Sequence, residues 1–323
     1  MTIRASILAF TLVLVGCGRT SDTTVITLGH GLDPTHPVHQ SMVFMADTLA
    51  VISEGAMRID IYPSQQLGTE RQLLELLQIG SVGITKVSAA VMEGFAPEYR
   101  VLGLPYIFRD EAHRHRVLEG QIGEEILLSS ERALIRGLTF YDAGSRSFYT
   151  KSRRVETPED LEGLKVRTME SASQIRMVNA MGGSATPIAW GELYTALQQG
   201  VVDAAENNPP SFYLSRHYEV CQYYILDEHS AVPDVLLVST HVWNRLDVQQ
   251  RAWLSEAVRA SAKVQKRLWR LASDDALAAV TEAGVEILRP DKSPFEAAVS
   301  DIMAEYEADP RLGPLIRGIR SAP

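Results

Sequence analysis

Two segments of the chain repeat the same joint between a helix and a strand. Residues 77–83 (LQIGSVG) align with residues 197–203 (LQQGVVD), and each segment carries a glycine where the helical pattern stops. A glycine at that point is expected in the left-handed conformation that ends a helix. Joints of this kind recur in α/β proteins generally, so seven positions do not prove a duplication. They favour two lobes of similar topology.

Hydrophobic periodicity around the joints predicts two units of alternating strands and helices. The first unit runs strand, helix, strand, helix, strand over residues 25–28, 37–53, 57–62, 68–78 and 81–85. The second runs strand, helix, strand, helix over residues 164–168, 171–181, 184–187 and 192–199. This order predicts parallel strands with helices on the faces of the sheet. Residues 248–283 are helical almost throughout, long enough at about 1.5 Å per residue to span two lobes.

No linker rich in proline, glycine or serine separates the two units, so the chain is expected to cross between lobes in strands near Gly144 and Val232. The predicted first lobe comprises residues 24–143 and 232–271, and the predicted second lobe comprises residues 144–231 and 272–323. Ligands of open α/β sheets bind beyond the carboxyl ends of the strands. The cleft should therefore be lined by residues just after each joint, namely Lys86, Ser88, Glu206 and Asn207.

The N-terminus predicts export. Arg4 precedes the apolar run 5–16, which is shorter than the roughly 20 residues that cross a membrane, so residues 1–16 are predicted to be a signal peptide. The stretch before Cys17 resembles a bacterial lipoprotein box, in which cleavage precedes the cysteine and its thiol takes a lipid. Residues 17–23 would then form a lipidated tether. The alternative is that Cys17 merely lies near an ordinary cleavage site. With Cys17 acylated, Cys221 has no partner and is predicted to be a buried thiol.

Charge and motifs exclude several classes of function. The 31 basic and 40 acidic residues give a net charge of −9 without a long basic run, which argues against a nucleic-acid partner. No common nucleotide-binding, zinc-protease, thiol-redox or esterase motif occurs, so no cofactor, metal or catalytic residue is predicted. His36 and His39 do not form a metal pair, because Pro37 is expected to begin the helix and leave His36 outside it. His113 and His115 lie in a charged run typical of a solvated face.

Two arginines and an asparagine are the candidate ligand-binding residues. Arg167 lies near the end of the strand 164–168, and Arg146 lies at the start of the strand that enters the second lobe. A guanidinium can hold a carboxylate through two parallel hydrogen bonds, which a lysine cannot do. Asn207 ends an apolar strand and can both donate and accept. The alternatives are an ion pair that holds the lobes together, for either arginine, and a cap for the helix near Pro210, for Asn207.

Five linked patterns, in order, resemble the solute-binding proteins of tripartite ATP-independent periplasmic (TRAP) transporters. They are QLGTE (66–70), LGLPY (102–106), GLKVR (163–167), PIAWGELY (187–194) and GVVDAAEN (200–207). The resemblance extends from about Val25 to Phe295. It implies a two-lobed periplasmic solute-binding protein fold of the α/β class, with a parallel or mixed sheet in each lobe, crossing strands and a long helix spanning both lobes. It also implies a receptor, not an enzyme, that closes around an organic acid and delivers it to the membrane permease.

The resemblance also assigns roles to single residues. It implies that Arg167 pairs with the carboxylate of the ligand and that Arg146 is the second arginine of the site. Asn207 and Glu70 match polar contacts of the family. Trp190 matches its aromatic wall, and the alternative for this residue is ordinary packing beneath a helix.

Three stretches resemble the branch of the family that binds hexuronates, namely residues 143–149, 206–213 and 226–229. A sugar acid needs many directional contacts besides one anion clamp. The branch implies that Lys86, His30 and Glu228 join Glu70 in recognising ring hydroxyls.

The predicted ligand is therefore a sugar acid of the D-glucuronate or D-galacturonate type. Ser88 and Val91 stand where the sialic-acid branch usually has other residues, which argues against sialic acid. The alternative within the family is a C4-dicarboxylate or another small carboxylate. A different class, an exported hydrolase or lyase with Glu70 and Glu206 as an acid–base pair, has no motif to support it. The predicted location is the periplasm, with membrane contact only through a lipid on Cys17, although the commoner family members are freely soluble.

Overall fold

The computed structural model describes residues 23–323, so the predicted signal peptide and Cys17 lie outside the described residues. The strands are β1 (Thr24–Gly29), β2 (Met57–Tyr62), β3 (Ile84–Ser88), β4 (Ile135–Tyr141), β5 (Arg146–Thr150), β6 (Lys165–Thr168), β7 (Ser184–Pro187), β8 (Ala204–Asn207), β9 (Tyr223–Ser230), β10 (Asp234–Ser239) and β11 (Glu286–Leu288).

The α-helices are α1 (Pro37–Ile52), α2 (Glu70–Gln78), α3 (Ala89–Met92), α4 (Glu111–Glu119), α5 (Gln121–Ser129), α6 (Ala172–Ala180), α7 (Leu193–Gln199), α8 (Pro209–Leu214), α9 (Thr240–Arg245), α10 (Val248–Glu282), α11 (Ser293–Ala298), α12 (Ser300–Ala308) and α13 (Leu312–Ser321). Short 3-10 helices cover Pro97–Gly103, Ser130–Ala133, Pro158–Leu161, Trp190–Glu192 and His217–Glu219. None of the helices in residues 23–323 has both the length and the apolar character needed to cross a bilayer.

The strands form two sheets, and each sheet is the centre of one lobe. Lobe I is built on the order β2-β1-β3-β10-β4, in which β1 is parallel to β2 and β3, and β10 is antiparallel to both of its neighbours. Lobe II is built on the order β11-β9-β5-β8-β6-β7, in which β5 is antiparallel to β8 and β9 and the other pairs are parallel. Both sheets are therefore mixed, and in each the antiparallel pairs involve a strand that enters from the other lobe.

Each sheet is buried on both faces. On β10, Val235 and Leu237 pack with α2 to α5, α12 and α13, whereas Leu236 and Val238 pack with α1 and α10. This two-residue alternation is what a strand between two apolar layers requires. In lobe II, Phe148 of β5 packs with α6 and α11, and the next residue, Tyr149, packs with α7 and α8.

Three segments and one helix join the lobes. Residues 142–145 connect β4 to β5, residues 231–233 connect β9 to β10, and the chain returns from α11 to α12 at Val299. Helix α10 has 35 residues, about 50 Å at roughly 1.5 Å per residue. Its residue Leu254 is buried in lobe I and its residue Val280 in lobe II. This helix therefore lies against both lobes.

Local caps fix the helix ends that matter for the site. Thr69 Oγ1 accepts from the Gln72 N–H at 3.4 Å and Gln72 Oε1 accepts from the Thr69 N–H at 2.9 Å, a reciprocal cap that makes Glu70 the first residue of α2. At the two joints Gly80 has φ +76° and Gly200 has φ +72°. The prediction that these glycines end helices in the left-handed conformation is confirmed.

The predicted fold is confirmed, with two differences in detail. The third strand spans Ile84–Ser88, not residues 81–85, because the N–H groups of Ser81 and Val82 bond to the Leu76 carbonyl and finish α2. The second difference concerns the C-terminus, which the sequence placed wholly in the second lobe. Helices α12 and α13 instead bury Ile302, Tyr306 and Ile316 in the core of lobe I.

Candidate functional site

A cleft lies between the lobes on one side of the connecting segments. Its walls leave only a narrow space between them, about 50 Å³. Lobe I, the connecting segments and α10 contribute Gly31, Leu32, His36, Glu70, Lys86, Ser88, Ala143, Val232, Asp234 and Trp269. Lobe II contributes Arg146, Arg167, Met169, Trp190, Asn207, Asn208 and Ser211. Of the eight predicted ligand-binding residues the structure brings six together here, namely Arg167, Arg146, Asn207, Glu70, Lys86 and Trp190.

Arg167 is a buried cation without an acidic partner among the described residues. Its side chain is oriented by one bond, from Nε to the Ile188 carbonyl at 2.9 Å, and its guanidinium lies 5.8 Å from the ring centre of Trp190. Nη1 is buried and has no hydrogen-bond partner within residues 23–323. Burial lowers the pKa of Arg167, and Glu206 opposes this only in part. The site therefore holds a positive charge that the protein itself leaves unneutralised.

Arg146 has a different role, because its charge is matched by Glu206. Nη2 donates to Glu206 Oε1 at 2.8 Å and to the Glu206 carbonyl at 3.0 Å, and Nε donates to the other carboxylate oxygen. Both side chains are almost fully buried. Burial alone would raise the pKa of Glu206, but Arg146 and His229 lower it to about 2. The prediction that Arg146 contacts the ligand stays a prediction, and one Nη1 N–H remains for such a contact.

Asn207 is oriented by Arg146. Its Oδ1 accepts from Arg146 Nη1 and from the Asn208 N–H, both at 2.9 Å. The amide nitrogen donates to no group in the described part of the chain, and the residue lines the cleft. The helix cap that was the alternative role for Asn207 belongs to its neighbour Asn208, whose Oδ1 accepts from the Ser211 N–H at 2.9 Å.

A chain of buried charges extends from Arg146 away from the cleft. His229 lies between Asp227, at 2.7 Å, and Glu206, at 3.6 Å. The second distance suits an ion pair but is too long for a hydrogen bond. Burial alone would lower the pKa of His229, but Asp227 and Glu206 raise it to about 9. The His229 imidazolium and Arg146 therefore contact Glu206 from both sides. These contacts stabilise the end of β8, where Asn207 lines the cleft.

Lys86 holds the two acidic residues on the lobe I wall. Its Nζ donates to Asp234 at 3.1 Å and to Glu70 at 3.3 Å. Burial alone would lower the pKa of Lys86, but Asp234 and Glu70 together raise it. Glu70 also accepts from the Ser88 N–H at 3.2 Å. The result is a fixed array of donors and acceptors, of the kind that recognises hydroxyl groups.

Two predicted ligand contacts lie elsewhere. His30 is fully buried behind the cleft wall, and both ring nitrogens are occupied, by His39 at 3.0 Å and by the Leu32 N–H at 3.1 Å. Glu228 lies on the opposite side of the connecting segments and pairs with Lys292. A register shift between β5 and β9, with Glu228 at φ +49°, turns this side chain away from the cleft.

Sequence reasoning gave no ligand role to several cleft residues, among them His36, Asp234 and Trp269. His36 precedes the first helix, Asp234 follows a proline in the second crossing segment, and Trp269 lies midway along α10. Trp269 has no local signal. His36 had one, because its expected place before Pro37 makes it the N-cap of α1, a position whose side chain accepts a backbone N–H.

The opposite side of the connecting segments faces a separate and wider groove. Glu111 and Asp142 line this groove, and with His115 they offer three ligand atoms within 4.8 Å of one another. Asp142 already accepts from Arg114 at 2.9 Å and from His115 at 2.7 Å, and the arginine charge disfavours a metal cation. The prediction of a solvated face is wrong for His113, which is buried and lies 2.9 Å from the Ile319 carbonyl of α13. The neighbouring Arg114 is buried as well, through its pair with Asp142.

Comparisons with known proteins identify the family of this chain. Residues 28–309 match the family described as bacterial extracellular solute-binding protein, family 7 (DctP). A protein of Salmonella typhimurium named YiiZ, which is uncharacterised, is 36% identical over 301 residues, covering 93% of this chain and 92% of the relative.

Two solved structures have the same fold. A TRAP periplasmic solute-binding protein of Xanthobacter autotrophicus, solved with bound β-D-galacturonate, superposes with a TM-score of 0.90 at 34% identity, over 92% of this chain and 100% of that one. A second, from Anaerococcus prevotii with bound D-glucuronate, gives a TM-score of 0.91 at 35% identity, over 93% and 98%. The chain therefore belongs to the family 7 extracellular solute-binding proteins, the solute receptors of TRAP transporters.

Proposed function

We propose that this protein is the extracytoplasmic receptor that captures a sugar acid of the D-glucuronate or D-galacturonate type and delivers it to the permease of a TRAP transporter. The observation that carries the proposal is Arg167, a buried cation in the cleft with no acidic partner in residues 23–323. A ligand carboxylate supplies the missing charge. Its two oxygens suit the planar guanidinium fork.

The rest of the cleft supports a ligand with many hydroxyl groups. Lys86, Glu70 and Asp234 form a fixed polar array on the lobe I wall, and Asn207 presents its amide from lobe II. A ring with hydroxyls on both edges can meet donors and acceptors from both walls. Trp190 adds an aromatic surface next to the arginine. The similar proteins solved with galacturonate and glucuronate support the same choice.

Charge matching disfavours a C4-dicarboxylate. A second carboxylate needs a second cation, and the other two cations of the cleft are already engaged. Arg146 is paired with Glu206, and Lys86 is shared between Glu70 and Asp234. A second ligand carboxylate on the lobe I wall would face those two acids. A monoanion with neutral hydroxyls avoids this repulsion.

Capture proceeds by closure of the lobes. Arg167 stands on lobe II, whereas Lys86 and Glu70 stand on lobe I, so a ligand that touches both walls bridges the cleft. The bridging ligand stabilises the closed form by its differential contacts with that form. Closure also brings the outer surfaces of the two lobes into one arrangement, which the permease can recognise.

Tethering to the membrane through a lipid on Cys17 is a further part of the proposal, and it rests on the sequence before that residue. A Cys17→Ser variant expressed with its own leader tests it. The wild-type protein is expected in the membrane fraction and the variant in the soluble periplasmic fraction. Equal distribution of both would contradict the anchor and leave solute binding untouched.

The ligand assignment is tested by titration calorimetry with D-glucuronate, D-galacturonate, D-glucose and succinate. Saturable binding of at least one hexuronate, with no binding of glucose, is expected, because glucose keeps the ring but lacks the carboxylate that Arg167 requires. Binding of succinate alone would overturn the choice of a sugar acid. Recovery of the bound hexuronate unchanged after long incubation would exclude the hydrolase or lyase alternative.

A further inference from the structure

We propose that His36 is a specificity-determining residue of the cleft, whose Nε2–H donates to an oxygen of the bound solute from the lobe I wall, across from Arg167. The proposal rests on the proposed function and names a contact that the sequence did not suggest. It predicts that the ligand must carry a hydrogen-bond acceptor at this point.

The backbone of α1 decides which ring nitrogen of His36 carries the proton. His36 is the N-cap of the helix, and its Nδ1 lies 3.3 Å from the backbone nitrogen of Val38. A peptide N–H can only donate, so Nδ1 must be the accepting, unprotonated nitrogen. In the neutral ring the single proton is therefore on Nε2.

The His36 ring is neutral near pH 7. His36 is 3% exposed, and burial together with the nearby Lys86 lowers the pKa of His36 to about 3, although Asp33 opposes the shift. A neutral ring with Nδ1 occupied offers only one remaining polar function, the Nε2–H donor. It cannot accept a hydrogen bond there from a ligand hydroxyl.

His36 Nε2 belongs to a small set of buried atoms without partners. In the part of the chain that the structure describes, only two such side-chain atoms belong to residues that line the cleft, His36 Nε2 and Arg167 Nη1. A buried donor without a partner is costly, so both are poised to bond to whatever fills the cleft. One stands on each lobe, which lets a single ligand satisfy both only when the cleft is closed.

The position of the ring is rigid enough to discriminate between ligands. Pro37 fixes the start of α1 immediately after His36, and the Trp269 ring lies 5.9 Å from the histidine ring. A rigid donor cannot follow a ligand that lacks an oxygen at this point. A ligand with a methylene group at this point leaves the Nε2–H buried and without a hydrogen-bond partner. The resulting loss of affinity lets the site discriminate strongly against such a ligand.

Two amide substitutions separate the cap from the ligand contact, because each reproduces the position of one ring nitrogen only. His36→Asn keeps an acceptor at the place of Nδ1 and removes the donor at the place of Nε2. His36→Gln keeps an N–H donor at the reach of Nε2 and moves the acceptor away from the Val38 N–H. His39→Asn, three residues along the same helix and outside the cleft lining, is the control for a histidine change nearby.

The experiment measures affinity by titration calorimetry for the bound hexuronate and for its monodeoxy analogues, together with thermal unfolding of each variant. Wild-type protein and His39→Asn are expected to reject one analogue by roughly ten- to a hundredfold. The affinity of His36→Asn for the parent hexuronate is expected to fall by a similar factor, and its affinity for that analogue is expected to equal that of the wild type. Its unfolding temperature is expected to stay close to the wild-type value. His36→Gln is expected to bind the parent better than His36→Asn although its α1 cap is weaker.

Two results would count against the proposal, and they are distinguishable. Unchanged affinity and unchanged discrimination in His36→Asn, with wild-type protein binding hexuronates, would overturn the role of His36 alone. Failure of the wild-type protein to bind any hexuronate would overturn the proposed function and this inference with it.

Discussion

Replacing Arg167 with methionine is expected to abolish solute binding while leaving the free protein about as stable as before. In the free protein Arg167 is 2% exposed and lacks an acidic partner among residues 23–323, and burial lowers the pKa of its guanidinium. Methionine removes this desolvated charge and fills similar volume. The change also removes the bond from Nε to the Ile188 carbonyl. These effects oppose each other, so the free energy of unfolding should stay within about 2 kcal/mol of the wild-type value or rise.

The loss of binding should be large. In the complex the ligand carboxylate is buried, and removing one partner of a buried charge pair costs about 3–5 kcal/mol. At about 1.4 kcal/mol per factor of ten, affinity should fall roughly a hundred- to several thousandfold. A Kd in the micromolar range would then leave the range of titration calorimetry. Arg167→Lys keeps the charge without the fork and should recover only part of the affinity.

The matched control is Arg146→Met, because Arg146 is equally buried but paired with Glu206. Losing this partner leaves a buried carboxylate supported only by His229, so the free protein should lose about 3–5 kcal/mol of stability. Urea unfolding without ligand and calorimetry with D-glucuronate and D-galacturonate measure the two effects. Marked destabilisation by Arg167→Met together with retained hexuronate binding would refute the assignment of Arg167 as the ligand's partner and identify it as a structural cation.

Three other outcomes are expected. The pKa of His229 is raised to about 9 in the folded protein, so its contribution to stability is complete below about pH 6.5 and is lost as the pH rises through 9. The urea midpoint of unfolding should therefore fall over that pH range. This fall should disappear in His229→Gln. His36 and His217 are buried with pKa values lowered to about 3, so the free energy of unfolding should also fall as the pH drops below about 6.5. A free energy of unfolding that stays constant between pH 6.5 and 4 would contradict the burial of these two rings in their neutral form. A saturating hexuronate, at about a hundred times its Kd, should stabilise the protein by about 2.7 kcal/mol, which scanning fluorimetry reports as a rise in Tm of several degrees; no rise in Arg167→Met is expected.

Periodicity carried most of the fold prediction. The strands Met57–Tyr62 and Ser184–Pro187 match the predicted ranges, and α10 ends one residue before the predicted end, because alternating or helical spacing follows directly from which side chains must be buried. The assignment of α12 and α13 to a lobe could not follow from spacing. An amphipathic helix shows that it has an apolar face but not which sheet that face covers, and these two cross back to lobe I.

Some residues of the site could be predicted from the sequence, because the topology follows from the same periodicity. Arg167 and Lys86 stand on strands that run toward the cleft, so topology alone places them near the ligand edge of each sheet. Glu228 was misplaced because the register shift beside β5 reverses the side to which it points, and a shift of this kind leaves no trace in composition. Sequence reasoning could not show that the charge of Arg146 is neutralised by a protein carboxylate whereas that of Arg167 is not. This difference depends on contacts between β5 and β8, which only the folded chain defines.

The most direct test of the central claim is a crystal structure of the protein with D-galacturonate or D-glucuronate bound. We expect the ligand carboxylate at hydrogen-bond distance, about 2.7–2.9 Å, from the guanidinium of Arg167, with the sugar ring between the two lobes. A carboxylate held elsewhere, with Arg167 still lacking an anionic partner, would contradict the central claim.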